Sequence, residues 1–414
     1  MSRLMFMVLL LALYGVIDYY IFQAVKVVFS DSSPGLRKII YTGYWSITIL
    51  TLVFAGLISG LDGAKHPTLR SFLITGVVIN FVSKIFSLLF LFADDLSRAT
   101  QYAYKYMFQG ASNTSAAGTT ITRSEFLSKA ALVAGAIPAS VMSFGMISGA
   151  YDYRVRKKQI LLPNLPASFD GIRIAQLSDI HSGSFYNKTA VNGGIDMLLS
   201  EKPDIIFFTG DLVNNQSKEV KEYQDIFSRV KAPLGTFSIL GNHDYGDYVS
   251  WSSQAAKHEN LNQLVQTHKR MGWDILLNEH RYIEVDGDKI GIIGVENWGA
   301  GRFAKYGNLE KAANGVEAPV KILLSHDPSH WDAQIRPNQP DIDLTLSGHT
   351  HGFQFGVEIG NFRWSPSQWI YKQWADLYQE GNQYLYVNRG FGFLGYPGRV
   401  GILPEITILE LKKA

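Results

Sequence analysis

The 414-residue sequence contains no cysteine. Disulfides, thiolate nucleophiles and cysteine-ligated zinc or iron–sulfur centres are therefore excluded. An excess of charge of either sign is also missing: 38 Lys and Arg stand against 36 Asp and Glu, a net charge of +2. A dedicated nucleic-acid binder usually carries a strong basic excess, so no nucleic-acid partner is expected. Charge is scarcest at the start of the chain. Residues 1–150 hold 11 basic and 6 acidic side chains, and residues 151–414 hold 27 and 30. The mean hydropathy of +0.02 thus averages an apolar segment and a well-charged one. The second is long enough to bury a core of its own, and no internal repeat is evident.

Three apolar runs open the chain: Leu4–Phe22 with Asp18 as its only charge, Ile39–Leu61 with none, and Ser71–Ala93 with Lys84 alone. A bilayer core of ~30 Å needs ~20 apolar residues in a helix, so each run can span. A fourth, Phe126–Gly149, is rich in Ala, Gly and Ser and contains Pro138. Small residues suit close helix contact in lipid, where Pro is tolerated. The long second and third runs argue against reading Leu4–Phe22 as a cleaved signal peptide. Lys84 has no acidic partner in its own run and is expected to snorkel toward one leaflet. The polar stretch Gln109–Thr120 reads as a flexible linker. Basic residues divide equally between the two sets of loops, so the positive-inside rule does not choose an orientation. The protein is expected in the cell membrane as a multi-pass chain in contact with the lipid bilayer, its catalytic side open. The organisation expected is an all-α transmembrane domain of about four helices over 1–150, a juxtamembrane linker over 151–169 and an α/β domain over 170–414.

Within 170–414, short β-rich runs alternate with amphipathic stretches. Strands are expected at Ile172–Leu177, Asp204–Thr209, Thr236–Leu240, Lys321–Ser325 and Asp343–Leu346, and helices at Lys188–Ser200, Lys218–Val230 and His258–Met271. Asp286-Gly287 between Tyr282–Val285 and Lys289–Gly294 is a two-residue hairpin turn. Five of the apolar strands end in a polar cluster: Asp179-Ile180-His181, Gly210-Asp211, Gly241-Asn242-His243-Asp244, Ser325-His326-Asp327 and Gly348-His349-Thr350-His351. Loops at one edge of a sheet converge, so these clusters can build a single site. Carboxylate, amide oxygen and imidazole suit divalent Mn, Fe or Zn rather than a soft ion. Two such cations ~3.5–4 Å apart share a bridging carboxylate and can hold both the attacking and leaving oxygens of a phosphoryl group.

The ordered set Asp179-x-His181, Gly210-Asp211, Gly241-Asn242-His243-Asp244, His326 and Gly348-His349-x-His351 resembles the calcineurin-like metallophosphoesterases over roughly residues 170–412. That resemblance implies two packed mixed β-sheets flanked by helices. It implies two divalent metal ions, with Asp179, His181 and His351 at the first, Asp211 bridging, and Asn242, His326 and His349 at the second. It gives His243 a catalytic place at the phosphate and makes Asp244 the residue that orients it. The implied reaction is attack by a metal-bridging hydroxide on a phosphoester. Asn388-Arg389-Gly390-Phe391-Gly392, Pro397-Gly398-Arg399 and Pro404-Glu405-Ile406 are similar to the C-terminal pattern of a membrane-linked bacterial subgroup. Phe353 departs from it, standing where that subgroup usually has glycine.

Two further features bear on substrate. Arg389 and Arg399 are candidates for binding phosphate oxygens, with salt bridging as the alternative for each. Phe353–Tyr378 is dense in Trp, Tyr and Phe, and reads either as a lip at the membrane interface or as a packed loop over the sheet. Tethering beside lipid favours a phosphodiester or pyrophosphate in a lipid-linked substrate. One candidate is a UDP-2,3-diacylglucosamine-type pyrophosphate, as cleaved in lipid A synthesis. The competing reading is a non-catalytic membrane scaffold that binds metal or phosphate.

Overall fold

The computed structural model describes residues 3–63, 66–108, 123–360 and 362–414. The chain divides into two compact units, Met1–Ser143 and Phe144–Ala414.

The first unit is helical. α1 (Arg3–Val28), α2 (Pro34–Gly60), α3 (Pro67–Phe108) and α4 (Arg123–Ile147) are each long and apolar enough to cross a membrane. Ser33 starts α2 by accepting the Leu36 N–H, with Pro34 at the first helical position, where its missing N–H costs nothing. α3 has 42 residues, about 63 Å at 1.5 Å per residue, so it outlasts its apolar run. The linker expected at Gln109–Thr120 lies outside the described residues. Lys84 differs from expectation. It does not snorkel; it is buried, with Nζ 2.7 Å from Asp18 Oδ1. Tyr44 donates to the same oxygen at 3.0 Å, and Lys84 donates to Tyr14 at 2.5 Å. The partner comes from α1 rather than from the run that carries Lys84. Pairing removes the cost of a lone charge in an apolar surrounding.

The second unit is a two-sheet sandwich. Its first sheet contains β1 (Arg154–Leu162), β2 (Arg173–Leu177), β3 (Ile205–Phe208), β4 (Thr236–Ser238), β5 (Asp274–Ile275) and β14 (Glu405–Lys413), in the order β1-β14-β2-β3-β4-β5. The second contains β6 (Glu279–Val285), β7 (Asp288–Gly294), β8 (Lys321–Leu324), β9 (Leu344–Ser347), β12 (Asp376–Glu380) and β13 (Gln383–Val387), in the order β12-β13-β9-β8-β7-β6. A separate hairpin pairs β10 (Val357–Ile359) with β11 (Phe362–Trp364). Strands β2 to β5 run parallel, as do β7, β8, β9 and β13, with antiparallel neighbours making both sheets mixed.

Packing explains the apolar runs. In β3, Ile205 and Phe207 face the inter-sheet core with Ile292, Ile322 and Leu344, while Ile206 and Phe208 face the outer helices. A strand covered on both faces reads as continuous hydrophobics. The outer cover of the first sheet is α5 (Lys188–Ser200) and α7 (Gln254–Met271), with the short α6 (Gln224–Phe227) between them in sequence. α5 has the bounds its periodicity suggested, whereas the helix expected over Lys218–Val230 is broken into a 3₁₀ turn at Ser217–Val220 and α6. The stretch expected as a linker over 151–169 is also different. Its residues 154–162 form β1, paired in parallel with β14 along nine residues. Apolar Ile160 and Leu162 anchor it in the core, and Arg154, Lys157 and Lys158 occupy exposed positions on this edge strand.

Candidate metal centre

The loops leaving β2, β3, β8 and β9, together with the loop after β4, meet at one edge of the sandwich. Five of the seven ligand candidates hold a left-handed backbone: Asp179 (φ 51°), His181 (49°), Asp211 (60°), His349 (71°) and His351 (50°). Non-glycine residues rarely adopt this region, and such strain persists where surroundings impose it, often at functional sites. Glycines make the close approaches possible. A Cβ on Gly348 would stand 2.0 Å from Ser178 Oγ, and one on Gly241 2.3 Å from Asp211 Oδ1.

The side chains fall into two groups able to hold a cation. Asp179, His181 and His351 form one, and Asp211, His326 and His349 the other, the ligand atoms of each within 4.8 Å of one another. Nε2 of His181 and Nε2 of His351 are 3.1 Å apart, and His351 Nε2 is 3.2 Å from Asp179 Oδ1. Asp211 Oδ2 lies 3.1 Å from His326 Nε2 and 3.6 Å from His181 Nε2. It therefore faces both groups. Asn242 Oδ1 is 2.8 Å from His349 Nδ1, which brings the amide to the second group. Burial opposes ionisation of Asp179 and Asp211, but the surrounding imidazoles overcome it and hold both carboxyls below their ordinary range. Burial keeps His181, His349 and His351 in the neutral form that binds metal. Burial also opposes a charge on His326, yet Asp211 and Asp179 raise it to about 10. The buried carboxylates thus attract positive charge where a cation fits, and the donor set matches divalent ions.

Supporting contacts explain the remaining positions. His326 Nδ1 donates to Thr209 O at 2.7 Å, which leaves Nε2 toward Asp211. His243 Nδ1 donates to Asn214 O at 2.8 Å. Asp244, expected to orient His243, is engaged elsewhere: it accepts from the backbone N–H groups of Asp211, Leu212, Val213 and Gly241 at 2.9–3.2 Å. It shapes the Asp211 loop. Burial and the neighbouring Asp211 push its carboxyl up to about 7.

Arg389 and Arg399 also differ from the phosphate-binding expectation, since both are buried. Arg389 is paired with Glu405 at 2.6 Å and Glu358 at 2.7 Å. Arg399 donates to the carbonyls of Arg389 and Gly392, and its Nη2 lies 3.0 Å from His351 Nδ1. Tyr371, within the aromatic Phe353–Tyr378 stretch, meets His349 Nε2 at 2.7 Å. Tyr248 accepts from Asn242 Nδ2 at 2.9 Å. The first contact joins residues 22 positions apart, and the second lies within the loop after β4, six residues from Asn242.

A cavity of about 330 Å³ opens over these groups. His181, Asp211, Asn242, His243, His349 and His351 line its polar side, and Phe303, Phe353, Tyr371, Leu394 and Tyr396 its apolar side. Phe353, one of the lining residues, has a left-handed backbone (φ 51°), a conformation glycine adopts freely.

Comparison with known proteins agrees with the geometry. Residues 2–150 match the family model "Probable Calcineurin-like phosphoesterase, transmembrane domain", and residues 172–353 match "Calcineurin-like phosphoesterase". An uncharacterized metallophosphoesterase of Bacillus subtilis, YkuE, is 31% identical over 252 residues, covering 60% of this chain and 82% of that one. The chain belongs to the calcineurin-like metallophosphoesterases. Another relative of this metallophosphoesterase is the zebrafish "Transmembrane protein with metallophosphoesterase domain", 31% identical over 290 residues, which are 67% of this chain and 62% of that one. Escherichia coli "Phosphodiesterase YaeI" is 27% identical over 241 residues, 58% and 82% of the two chains. The metallophosphoesterase is a membrane protein, with four apolar helices among the described residues of its matched transmembrane domain.

Proposed function

We propose that this chain is a dinuclear metallophosphoesterase that hydrolyses a phosphodiester bond in a lipid-linked substrate at a cell membrane. The observation that carries the reading is the position of Asp211, one carboxylate oxygen facing both His181 and His326. Two divalent cations held by the two groups would supply a nucleophile at neutral pH and neutralise charge on the phosphoryl oxygens. Asp179, His181 and His351 would hold one and Asn242, His326 and His349 the other, with Asp211 shared. His243, its Nδ1 proton occupied by Asn214, presents Nε2 as the ring nitrogen available to a leaving oxygen.

Among the described residues lining the cavity, none is Lys or Arg, so the charge of a phosphoryl group would be met there by the two divalent cations. The apolar wall of Phe303, Phe353 and Leu394 suits an acyl or prenyl group beside the phosphate. Hydrolysis of a chromogenic phosphodiester with added Mn²⁺ tests the chemistry, with loss of activity expected on chelation. A lipid-extract screen comparing wild type with Asp211→Asn tests the substrate class, with a UDP-2,3-diacylglucosamine-type pyrophosphate as one arm. Full metal loading without cleavage of any arm would leave a metal-binding scaffold as the surviving reading.

A further inference from the structure

The β10–β11 hairpin has two unlike faces. Its register pairs Val357 with Trp364 and Ile359 with Phe362, and these side chains share one face. Glu358 and Arg363, paired across the other face, are held by the domain. Glu358 binds Arg156 and Arg389, and Arg363 lies 3.0 Å from Asp376. One side of the hairpin is thus fixed by ion pairs, and among the described residues the other is left largely exposed. Ile359 is 73% exposed and Phe362 62%. The 3₁₀ turn Pro366–Trp369 that follows adds Trp369 at 72%, and Ile370, which caps it, adds 69%. Trp364 and Trp369 meet edge to face at 5.9 Å, which joins hairpin and turn into one apolar surface.

We infer that this surface inserts into the interfacial layer of an anionic lipid bilayer. Three observations select lipid as the occupant. Aromatic and aliphatic side chains on a fixed element, bordered by cations, are what an interfacial layer accepts. The cleft beside the hairpin is lined by Arg156, Lys157, Lys158 and Arg363 with Glu358 and Asp376, and the side chains of Lys157 and Lys158, paired with Glu201 and Asp376 yet 60% and 40% exposed, stand next to apolar residues where anionic headgroups are favoured. The chain itself also supplies the bilayer: only Ser148–Tyr153 separates the apolar helix α4 from β1, the strand bearing three of those cations.

The hairpin is inserted between two contacts of the metal centre. It follows His351, and Tyr371 after it meets His349. Seating it in lipid would set the mouth of the cavity at the membrane surface. That consequence for substrate entry rests on the lipid-linked reading above; the insertion itself does not.

The absence of cysteine makes a clean test possible. Full-length Ile359→Cys and Phe362→Cys, each carrying an environment-sensitive dye and reconstituted in vesicles containing phosphatidylglycerol, should show blue-shifted emission. They should be quenched by lipids spin-labelled near the headgroup. Glu284→Cys is the control, exposed on β6 at the opposite edge of the second sheet from β12; it should show neither effect and be quenched by aqueous iodide. Iodide quenching of Ile359→Cys equal to that of the control would overturn the inference. So would protection from both quenchers with cross-linking between copies, which would assign the face to a second copy of the chain. Lipid quenching at both hairpin sites without cleavage of any lipid-linked ester would uphold insertion and remove the substrate reading instead.

Discussion

Arg399 directs Nη2 at Nδ1 of His351, 3.0 Å away, while its other N–H groups hold the carbonyls of Arg389, Gly390 and Gly392. Burial lowers its guanidinium only to about 10, so it stays charged at neutral pH. The residue thus packs the C-terminal loop against His351, a candidate ligand of the first metal group. Contacts that position a metal-binding histidine typically change metal affinity 10–100-fold when removed. Arg399→Met is expected to lose metal to a competing chelator in that range, and Arg399→Lys to lose less. Elemental analysis after dialysis reads this directly, and unchanged retention in Arg399→Met would contradict it.

His243 and Asp244 should separate cleanly. His243→Ala removes a group at the cavity wall and should cut kcat about 10²–10⁴-fold with metal content intact. Asp244→Ala strips four buried backbone amides of their acceptor, including that of Asp211. It should lower metal content along with activity, because the cost falls on the loop that positions the shared ligand. Metal content of the two variants, measured side by side, decides the point. Equal retention would return Asp244 to the role of orienting His243.

The Asp18–Lys84 pair predicts non-additivity in the helical unit. Removing one partner from a buried ion pair strands the other, at about 3–5 kcal/mol, whereas removing both costs less. Lys84→Ala should therefore lower the Tm of the detergent-solubilised protein more than the Asp18→Ala/Lys84→Ala double variant does. Additive losses would show that the two charges do not meet.

His268 gives a signed pH effect away from the metal groups. It is buried on α7 with Nδ1 2.9 Å from Ser238 Oγ, and burial lowers its pKa to about 3. The unfolded value is about 6.5. Above 6.5 both states are neutral, and the stability tied to this group is fully present. Between 6.5 and 3 the unfolded chain binds a proton that the folded chain refuses, so stability falls by up to about 1.4 kcal/mol per pH unit. His268→Gln should flatten the acid limb of stability against pH by that amount relative to wild type. Parallel curves would show that the imidazole titrates normally in the fold.

The parts legible in the sequence were those set by local pattern. Strands β2, β3, β4, β8 and β9 announce themselves as short apolar runs, and their polar ends carry the residues that the fold brings to one edge. What was not legible depends on partners far along the chain. β1 reads as a linker because its partner, β14, lies about 250 residues away. Lys84 looked unpaired because Asp18 is on another helix. Arg389 and Arg399 looked like phosphate ligands because their burial follows from the packing of the C-terminal loop. Tyr371 could be singled out as aromatic, but its contact with His349 required the fold.

The central claim is that Asp211 joins two metal ions into one hydrolytic centre. Metal stoichiometry and phosphodiester hydrolysis, measured on the same preparations of wild type and Asp211→Asn, test it most directly. The account predicts two divalent ions per chain and metal-dependent cleavage in wild type, with both the second ion and the activity lost in Asp211→Asn. Wild-type protein holding two ions yet cleaving neither a chromogenic diester nor any lipid in an extract would contradict it, as would full activity in Asp211→Asn.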